Sequence, residues 1–503
     1  MLALIYRTDS LAPVSLHELS AVLASYGLNN VIEWDQRSVP AQLSQVKDRS
    51  SDIIFVNADY TLGTMAVRRL TLSSVRLPST FAVWDGQKLV AARVKLPTFE
   101  QLVSKNQGEK ELTTSFRELV DSKRIESYTL QQLSDISSIR MGGSFAGSGI
   151  QRYYGKSASG LGTKKLRDEI RMYQTLPERL RSHYPKLLFA SDDEVSGVSM
   201  GTQYEDHPNI RDLLLNMDIA VPDAVRVLQQ VLEFEFCEAY LAHKQPLPEN
   251  YLHDYHFHRV WRRIAVSKEL DPSFGSLVAA PWLQVNGERL PNVPSMLLRL
   301  EQDHTVVKRL QPDGASPFIH ADLHLENILC DVANSRFWLI DPRGYPACDI
   351  YYDLGKLAHS YHSYYDLLHE GRHVADFSLS TDRQTAIINY EFTSKKLVAR
   401  YSDLNVRMDK IIHDLLERHG ESRDDIDLRI RFNEAMHFCS DMPFHINPEA
   451  KPFVAQPIYA IGAKLLAEVL QILGIGLDEC VRKHDEAMVR LADMGHRPWL
   501  FEG

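Results

Sequence analysis

The chemistry-bearing residues of this chain crowd into one stretch, Phe318 to Asp353, which reads FIHADLHLENILCDVANSRFWLIDPRGYPACDIYYD. It gathers His320, Asp322, His324, Glu326, Asn327, Asp331 and Asp341 around two short apolar runs. Polar groups this dense beside strand-like segments signal a purpose, because burying them unpaired is costly. Asp322 is a candidate base in a loop expected to follow a strand. Asn327 supplies an amide five residues on, and Asp341 ends the strand-like run RFWLI. Phosphoryl transfer to a hydroxyl calls for such a set. One carboxylate orients the hydroxyl and takes its proton, while an amide and a second carboxylate hold Mg²⁺ against the phosphates.

These residues need a scaffold, and the chain is long enough to build one. With 503 residues it is expected to form two or three domains. A composition of 44% hydrophobic and 24% charged residues with a net charge of -10 is that of a soluble globular protein and argues against broad nucleic-acid binding. The five cysteines are widely spaced, with no CxxC pair, so neither a disulfide framework nor a zinc ribbon is expected. A reducing, cytoplasmic setting fits. The opening MLALIYRTDSLAP lacks the basic flank and cleavage site of a signal peptide. No apolar run reaches the roughly 18 residues of a membrane span.

Residues 1–105 read as a small α/β domain. Strand patterns lie at 2–7, 29–34 and 52–57, a helix at 15–27, and a hairpin across Asp85-Gly86. Asn57 and Asp59 at a strand end suit either a metal or substrate contact or an Asx turn. Residues 106–132 are polar and read as a linker with a short helix. Residues 133–215 read as a second α/β unit: four glycines between Gly142 and Gly149, a strand at 151–156, a helix at 164–180, and strands at 185–191 and 197–205. The helix carries Leu166, Ile170, Tyr173 and Leu176 on one face. Residues 216–503 read as mainly helical, including 382–403 and the strongly apolar 457–476. His253, His256 and His258 cluster without fixed metal spacing and suit an aromatic helix face or a substrate contact.

The segment HADLHLEN resembles the catalytic loop of the aminoglycoside phosphotransferase and choline kinase superfamily, which shares the protein kinase fold. The family pattern is His-Gly-Asp-x-x-x-x-Asn. Ala321 stands where glycine is usual, so its backbone is expected to avoid left-handed dihedrals. The resemblance implies that Asp322 is the catalytic base, that His320 props the loop, and that Asn327 and Asp341 are magnesium ligands. It implies that Asp349 or Asp353 steadies the loops. It covers roughly residues 133–500, with ATP and Mg²⁺ as cofactors. Upstream it implies a phosphate-covering hairpin at Gly142, Gly143 and Gly147. Lys156, or Arg152 as its rival, reaches the α- and β-phosphates, and Glu169 orients the lysine. The backbone near Gln203 and Glu205 meets the adenine. The implied fold class is an α/β N-terminal domain plus an α+β bilobal protein-kinase-like domain with a largely helical C-terminal lobe, residues 216–503, holding the catalytic loop and acceptor pocket.

The acceptor implied is a small molecule with a hydroxyl. His324 suits substrate phosphate or loop packing, and Arg343 a carboxylate or phosphate partner. Asp441, His445 and Lys451, in an irregular polar stretch, are candidates for the pocket border. The N-terminal strand ending VNADY faintly resembles the metal-binding strand of sugar nucleotidyltransferases, although no glycine-rich activating loop occupies residues 1–15. That favours a sugar or sugar derivative of surface-polysaccharide metabolism. An aminoglycoside or choline-type kinase and a non-catalytic scaffold are the alternatives. The sequence is silent on oligomeric state.

Overall fold

The computed structural model describes residues 2–6, 31–33, 52–57, 80–85, 88–105, 109–122, 125–129, 153–158, 162–193, 197–446 and 454–494. They fall into two compact units, one of residues 1–157, 186–191 and 199–208, the other of residues 158–185, 192–198 and 209–503.

The first unit is built on strands β1 (Leu2–Tyr6), β2 (Val31–Glu33), β3 (Asp52–Asn57), β4 (Phe81–Asp85) and β5 (Lys88–Lys95). Helices α1 (Leu96–Lys105) and α2 (Glu109–Asp121) follow, then strand β6 (Glu126–Thr129). The six-stranded sheet has the order β2-β1-β3-β5-β4-β6. β1 pairs in parallel with β2 and β3, whereas β5 runs antiparallel to β3 and β4. All of β3 is buried, which is why it reads as an almost unbroken apolar run. Phe55, Phe99 and Phe116 meet over it, with ring centroids 5.7 to 6.4 Å apart. Its one buried acid, Asp52, accepts from Arg93 Nε at 3.0 Å and faces Lys95 Nζ at 2.6 Å. Burial pulls its pKa up, but the two cations outweigh that and hold it below the ordinary carboxylate value.

The stretch expected as a linker, 106–132, is not a spacer. It contains α2 and β6, and β6 pairs in parallel with β4 from Phe81↔Glu126 to Trp84↔Thr129. Its composition is polar because few positions face inward, yet those that do, Phe116, Leu119 and Ile125, are buried. The helix expected at 15–27 and Asp59 lie outside the described residues.

Further along come β7 (Tyr153–Ala158), α3 (Gly162–Thr175), β8 (Leu187–Asp193) and β9 (Gly197–Gln203), with the strands ordered β7-β9-β8. α3 buries Leu166, Ile170 and Tyr173 of the periodic set read from sequence, but it stops at Thr175, so Leu176 is buried just beyond its end. Helix α4 (Ile210–Leu215) is capped by Asn209, whose side chain accepts from Asp212 N at 2.8 Å. Helix α5 (Val221–Glu233) runs into a π-helical segment, Phe234–Tyr240, and α6 spans His258–Leu270. A hairpin of β10 (Trp282–Val285) and β11 (Glu288–Pro291) follows, then one of β12 (Ile328–Asp331) and β13 (Arg336–Leu339). Helix α7 (Ile350–Tyr361) is capped by Asp349, which accepts from Tyr351 N at 2.7 Å.

Residues 382–403, read as helical, are instead split. Strands β14 (His373–Leu379) and β15 (Thr385–Phe392) precede helix α8 (Lys395–Glu417). With β10 and β11 they form a four-stranded sheet, β11-β10-β15-β14. The inward residues Ala386 and Ile388 alternate with outward ones, a period of two that the flanking helical residues mask. Helices α9 (Arg423–Ser440) and α10 (Ala455–Ile472) complete the core, in which Phe432, Tyr459 and Trp261 are fully buried. The expected element content is therefore present: an α/β sheet at the N-terminus, then an α+β order of strand, helix and strands, and a largely helical stretch that contains the loop and its hairpin. Among the described residues no helix is long and apolar enough to cross a membrane.

Candidate active site

No strand leads into the loop at His320. The chain arrives through isolated bridges, Gln245↔Ala315 and Ser316↔Cys348. Turns then take over. His324 N donates to Asp322 O at 2.9 Å, and Asn327 N to His324 O at 2.9 Å. His320 acts as the prop. Its Nε2 donates to Ile340 O at 2.7 Å, which leaves Nδ1 to accept from Asp322 N at 3.2 Å. That pattern requires the neutral ring, in keeping with a pKa that burial lowers to about 4.

Ala321 does not avoid the left-handed region; its φ is 60°. A side chain there costs roughly 1–2 kcal/mol. Asp353 of α7 over-determines the turn: its carboxyl accepts from Leu323 N at 3.3 Å and also faces the backbone N–H groups of Ala321 and His320. Burial pushes the Asp353 carboxyl up to about 8, and the wholly buried Glu235 beside it is raised as well. A further brace is Arg211 of α4, which is buried and binds Glu326 of the loop at 2.9 Å and Glu370 at 2.5 Å.

Asp322 is not a lone carboxylate. Arg343 Nε and Nη2 both reach Oδ2, at 2.9 and 2.8 Å, and Lys356 Nζ lies 3.5 Å from Oδ1. Burial pulls its pKa up, but Arg343, then Lys356 and His324, outweigh that and hold it well below the carboxylate range. Lys356 lies in α7, every residue of which is buried. Sequence reasoning missed it. A lysine inside DLGKLAH, with no polar face to occupy, was the available signal.

Asn327 and Asp341 become neighbours because β12 and β13 pair, Ile328 opposite Leu339, and Ile340 N extends the ladder to Asn327 O at 3.0 Å. Asn327 Nδ2 donates to Asp322 O at 3.0 Å, which leaves its amide oxygen for another partner. Asp341 follows with a φ of 60°. An amide oxygen and a carboxylate are hard donors of the kind Mg²⁺ takes, so this pair fits the ion. The turn after Asp341 is fixed by Gly344, at φ +65°, where a Cβ would meet the Asp168 carbonyl oxygen of α3 at 2.0 Å. Arg171 Nη2 of the same helix donates to Gly344 O at 2.5 Å.

Beyond Lys356 the polar lining continues. Asp441, the C-terminal cap of α9, has Oδ2 3.3 Å from His359 Nε2. Lys356, His359 and His445 together hold its pKa well down against the pull of burial. His445 Nε2 sits 3.3 Å from Tyr365 OH. Thus the structure brings Asp441 and His445 to the surroundings of Lys356. His324 is partly exposed beside Asp322. His256, by contrast, is fully buried in an aromatic cluster with Tyr251, Tyr352 and Phe432.

Among the described residues, the remaining expected site residues lie on β7, α3 and at the end of β9. Lys156 lies on β7, with Nζ 5.8 Å from the Tyr154 ring, and Glu169 is buried on α3. Gln203 uses its backbone N–H on Lys186 O at 2.7 Å, and Glu205 is half-buried in the segment after β9. Gly142, Gly143, Gly147, Arg152 and Lys451 lie outside the described residues. Among the described residues another group could hold a metal ion: Asp409, His413 and Asp427 of α8 and α9. There His413 Nδ1 contacts Asp409 O at 2.7 Å and Nε2 contacts Asp427 Oδ1 at 2.8 Å. An ion would have to displace those hydrogen bonds.

No protein-family model matches the chain, and no curated protein matches it. Solved structures do. An apo thermostable mutant of aminoglycoside phosphotransferase APH(4)-Ia is 14% identical over 66% of this chain and 94% of its own, with a TM-score of 0.35. Choline kinase LicA from Streptococcus pneumoniae is 13% identical over 70% of this chain and 99% of its own, at 0.33. Choline kinase from Cryptosporidium parvum Iowa II is 13% identical over 71% and 94%, at 0.29. Likeness at these scores carries no argument about activity.

Proposed function

We propose that this protein is a small-molecule kinase, transferring the γ-phosphoryl group of ATP to a hydroxyl. The observation that carries this reading is the loop-and-hairpin geometry that joins Asp322 to Asn327 through 3.0 Å and Asn327 to Ile340, next to Asp341, through 3.0 Å. Asn327 and Asp341 would hold Mg²⁺, which supplies charge neutralisation on the phosphates. The acceptor oxygen forms a bond to the γ-phosphorus, the bond to the β,γ-bridging oxygen breaks, and ADP leaves with the electron pair. The hydroxyl proton passes to Asp322 Oδ1. With its pKa held low, Asp322 is a weak base, so its chief work is to orient the hydroxyl before a late proton transfer. Arg343 and Lys356 hold the Asp322 carboxylate and would offset charge that develops on the transferring group.

A second reading, a non-catalytic scaffold, is favoured by one observation: Arg343 and Lys356 already occupy the Asp322 carboxylate. Magnesium-dependent ATP binding, compared between wild type and Asp341→Ala, separates the two. Binding that is weak and unchanged by the substitution supports the scaffold. Binding that depends on Mg²⁺ and falls at least tenfold supports the kinase, and a γ-labelled ATP screen over sugars, polyols, nucleosides, choline and aminoglycosides then finds the acceptor.

A further inference from the structure

The side chains around Asp322 form a closed circuit. Arg343 grips Asp322 and lies close to Tyr352. Arg259 Nη1 donates to Tyr352 OH, with the guanidinium carbon 5.0 Å from that ring. Arg263, one turn further along α6, feels the charge of both Arg259 and Asp441, and its Nη1 donates to Ser440 O at 3.1 Å. Asp441 leads through His359 and Lys356 back to Asp322.

Among the described residues four cations, Arg343, Lys356, Arg259 and Arg263, lie around the carboxylates Asp322 and Asp441. On the phosphotransfer reading Asp341 would hold Mg²⁺, and Arg211 is paired with Glu326 and Glu370. The histidines do not change the balance, because burial keeps His359 and His437 neutral, with pKa values lowered. Arg259, half-buried on α6, carries the clue. Its Nε and Nη2 atoms are buried, yet neither makes a hydrogen bond. Unpaired buried donors are costly, and a guanidinium fork matches two oxygens of one anionic group.

We propose that the acceptor phosphorylated at Asp322 carries its own anionic group, a carboxylate or a phosphate, which docks on the free fork of Arg259 with Arg263 and Lys356 beside it. This rests on the phosphotransfer reading of Asp322. A cationic acceptor, such as a quaternary ammonium or polyamine compound, would meet like charges on this wall.

The test is calorimetric and uses the full chain. Mg²⁺ with a non-hydrolysable ATP analogue is titrated first, so failure of the kinase reading shows by itself as absent magnesium-dependent binding. D-glycerate, glycerol 3-phosphate, inorganic phosphate, glycerol, choline chloride and kanamycin are then titrated, with and without the analogue. The anions are expected to bind at least tenfold more tightly than glycerol or choline. The tighter of glycerate and glycerol 3-phosphate identifies the anionic group. Arg259→Gln should weaken the anions at least tenfold and leave the analogue unaffected, while Arg259→Lys, which restores the charge, recovers part of the loss. Tighter binding of choline or kanamycin, no anion binding, or equal anion binding by Arg259→Gln overturns the proposal.

Discussion

The N-terminal sheet and the loop region from Ala315 to Tyr361 treat polar groups in opposite ways. In the sheet, the buried acid Asp52 is closed off by Arg93 and Lys95. Around it the strands are apolar. In the loop region the same ingredients stay unresolved. Asp322 is held ionised while Asp353 keeps its proton to about 8, and Ala321 and Asp341 both adopt left-handed backbone. Arg259 keeps two buried donors open. A closed ion pair stabilises and does nothing more; a site must keep capacity in reserve, and it is held in place by the surrounding packing.

The contrast can be broken by substitution. Asp322→Asn is expected to cut kcat about a thousandfold while ATP affinity stays within about twofold; turnover within tenfold of wild type would sink the base assignment. Asp52→Ala strips the counter-charge from Arg93, which is almost fully buried, and should destabilise the first unit by about 3 kcal/mol, read as a lower urea midpoint. An unchanged midpoint would mean that the pair is structurally idle. Gly344→Ala places a Cβ against the Asp168 carbonyl and should cost the second unit on the order of 2 kcal/mol.

The carboxyl pair gives a pH signature. Asp353 has a folded pKa near 8, above its unfolded value, so its contribution to stability is complete below about pH 4 and is lost as pH rises through 8. Glu235 shifts the same way. The melting temperature should therefore fall between pH 6.5 and 8.5, a range above the window in which the buried neutral histidines act. Glu235→Gln should show roughly half that fall, and an identical slope would reject the coupling. The smallest effect is Ala321→Gly, expected to stabilise by up to about 1 kcal/mol; destabilisation would show that the methyl group is needed for packing.

Much of the loop was legible because its residues are close in sequence: His320, Asp322, Asn327 and Asp341 lie within one loop and hairpin. The rest was not, for reasons of distance. Arg259, Arg263 and Lys356 sit on two helices, where lysine and arginine ordinarily mark a solvated face. Only burial, invisible in the sequence, shows that they point inward. The strand β15 was hidden because Ile387 and Ile388 adjoin the strong helical pattern of α8. The second half of the N-terminal domain was hidden because α2 spends just a few apolar residues on its core. Ala321 was misjudged because residue type predicts an isolated preference, whereas Asp353 decides the turn.

Gly344 has one more consequence. With no room for a single carbon between it and Asp168, helix α3 and the turn after Asp341 fit together like a gear tooth in its notch. Glu169 follows Asp168 on that helix. Tilting α3 would press on the turn that carries Asp341, so a compound wedged beneath the helix could reach that turn without touching Asp341 itself.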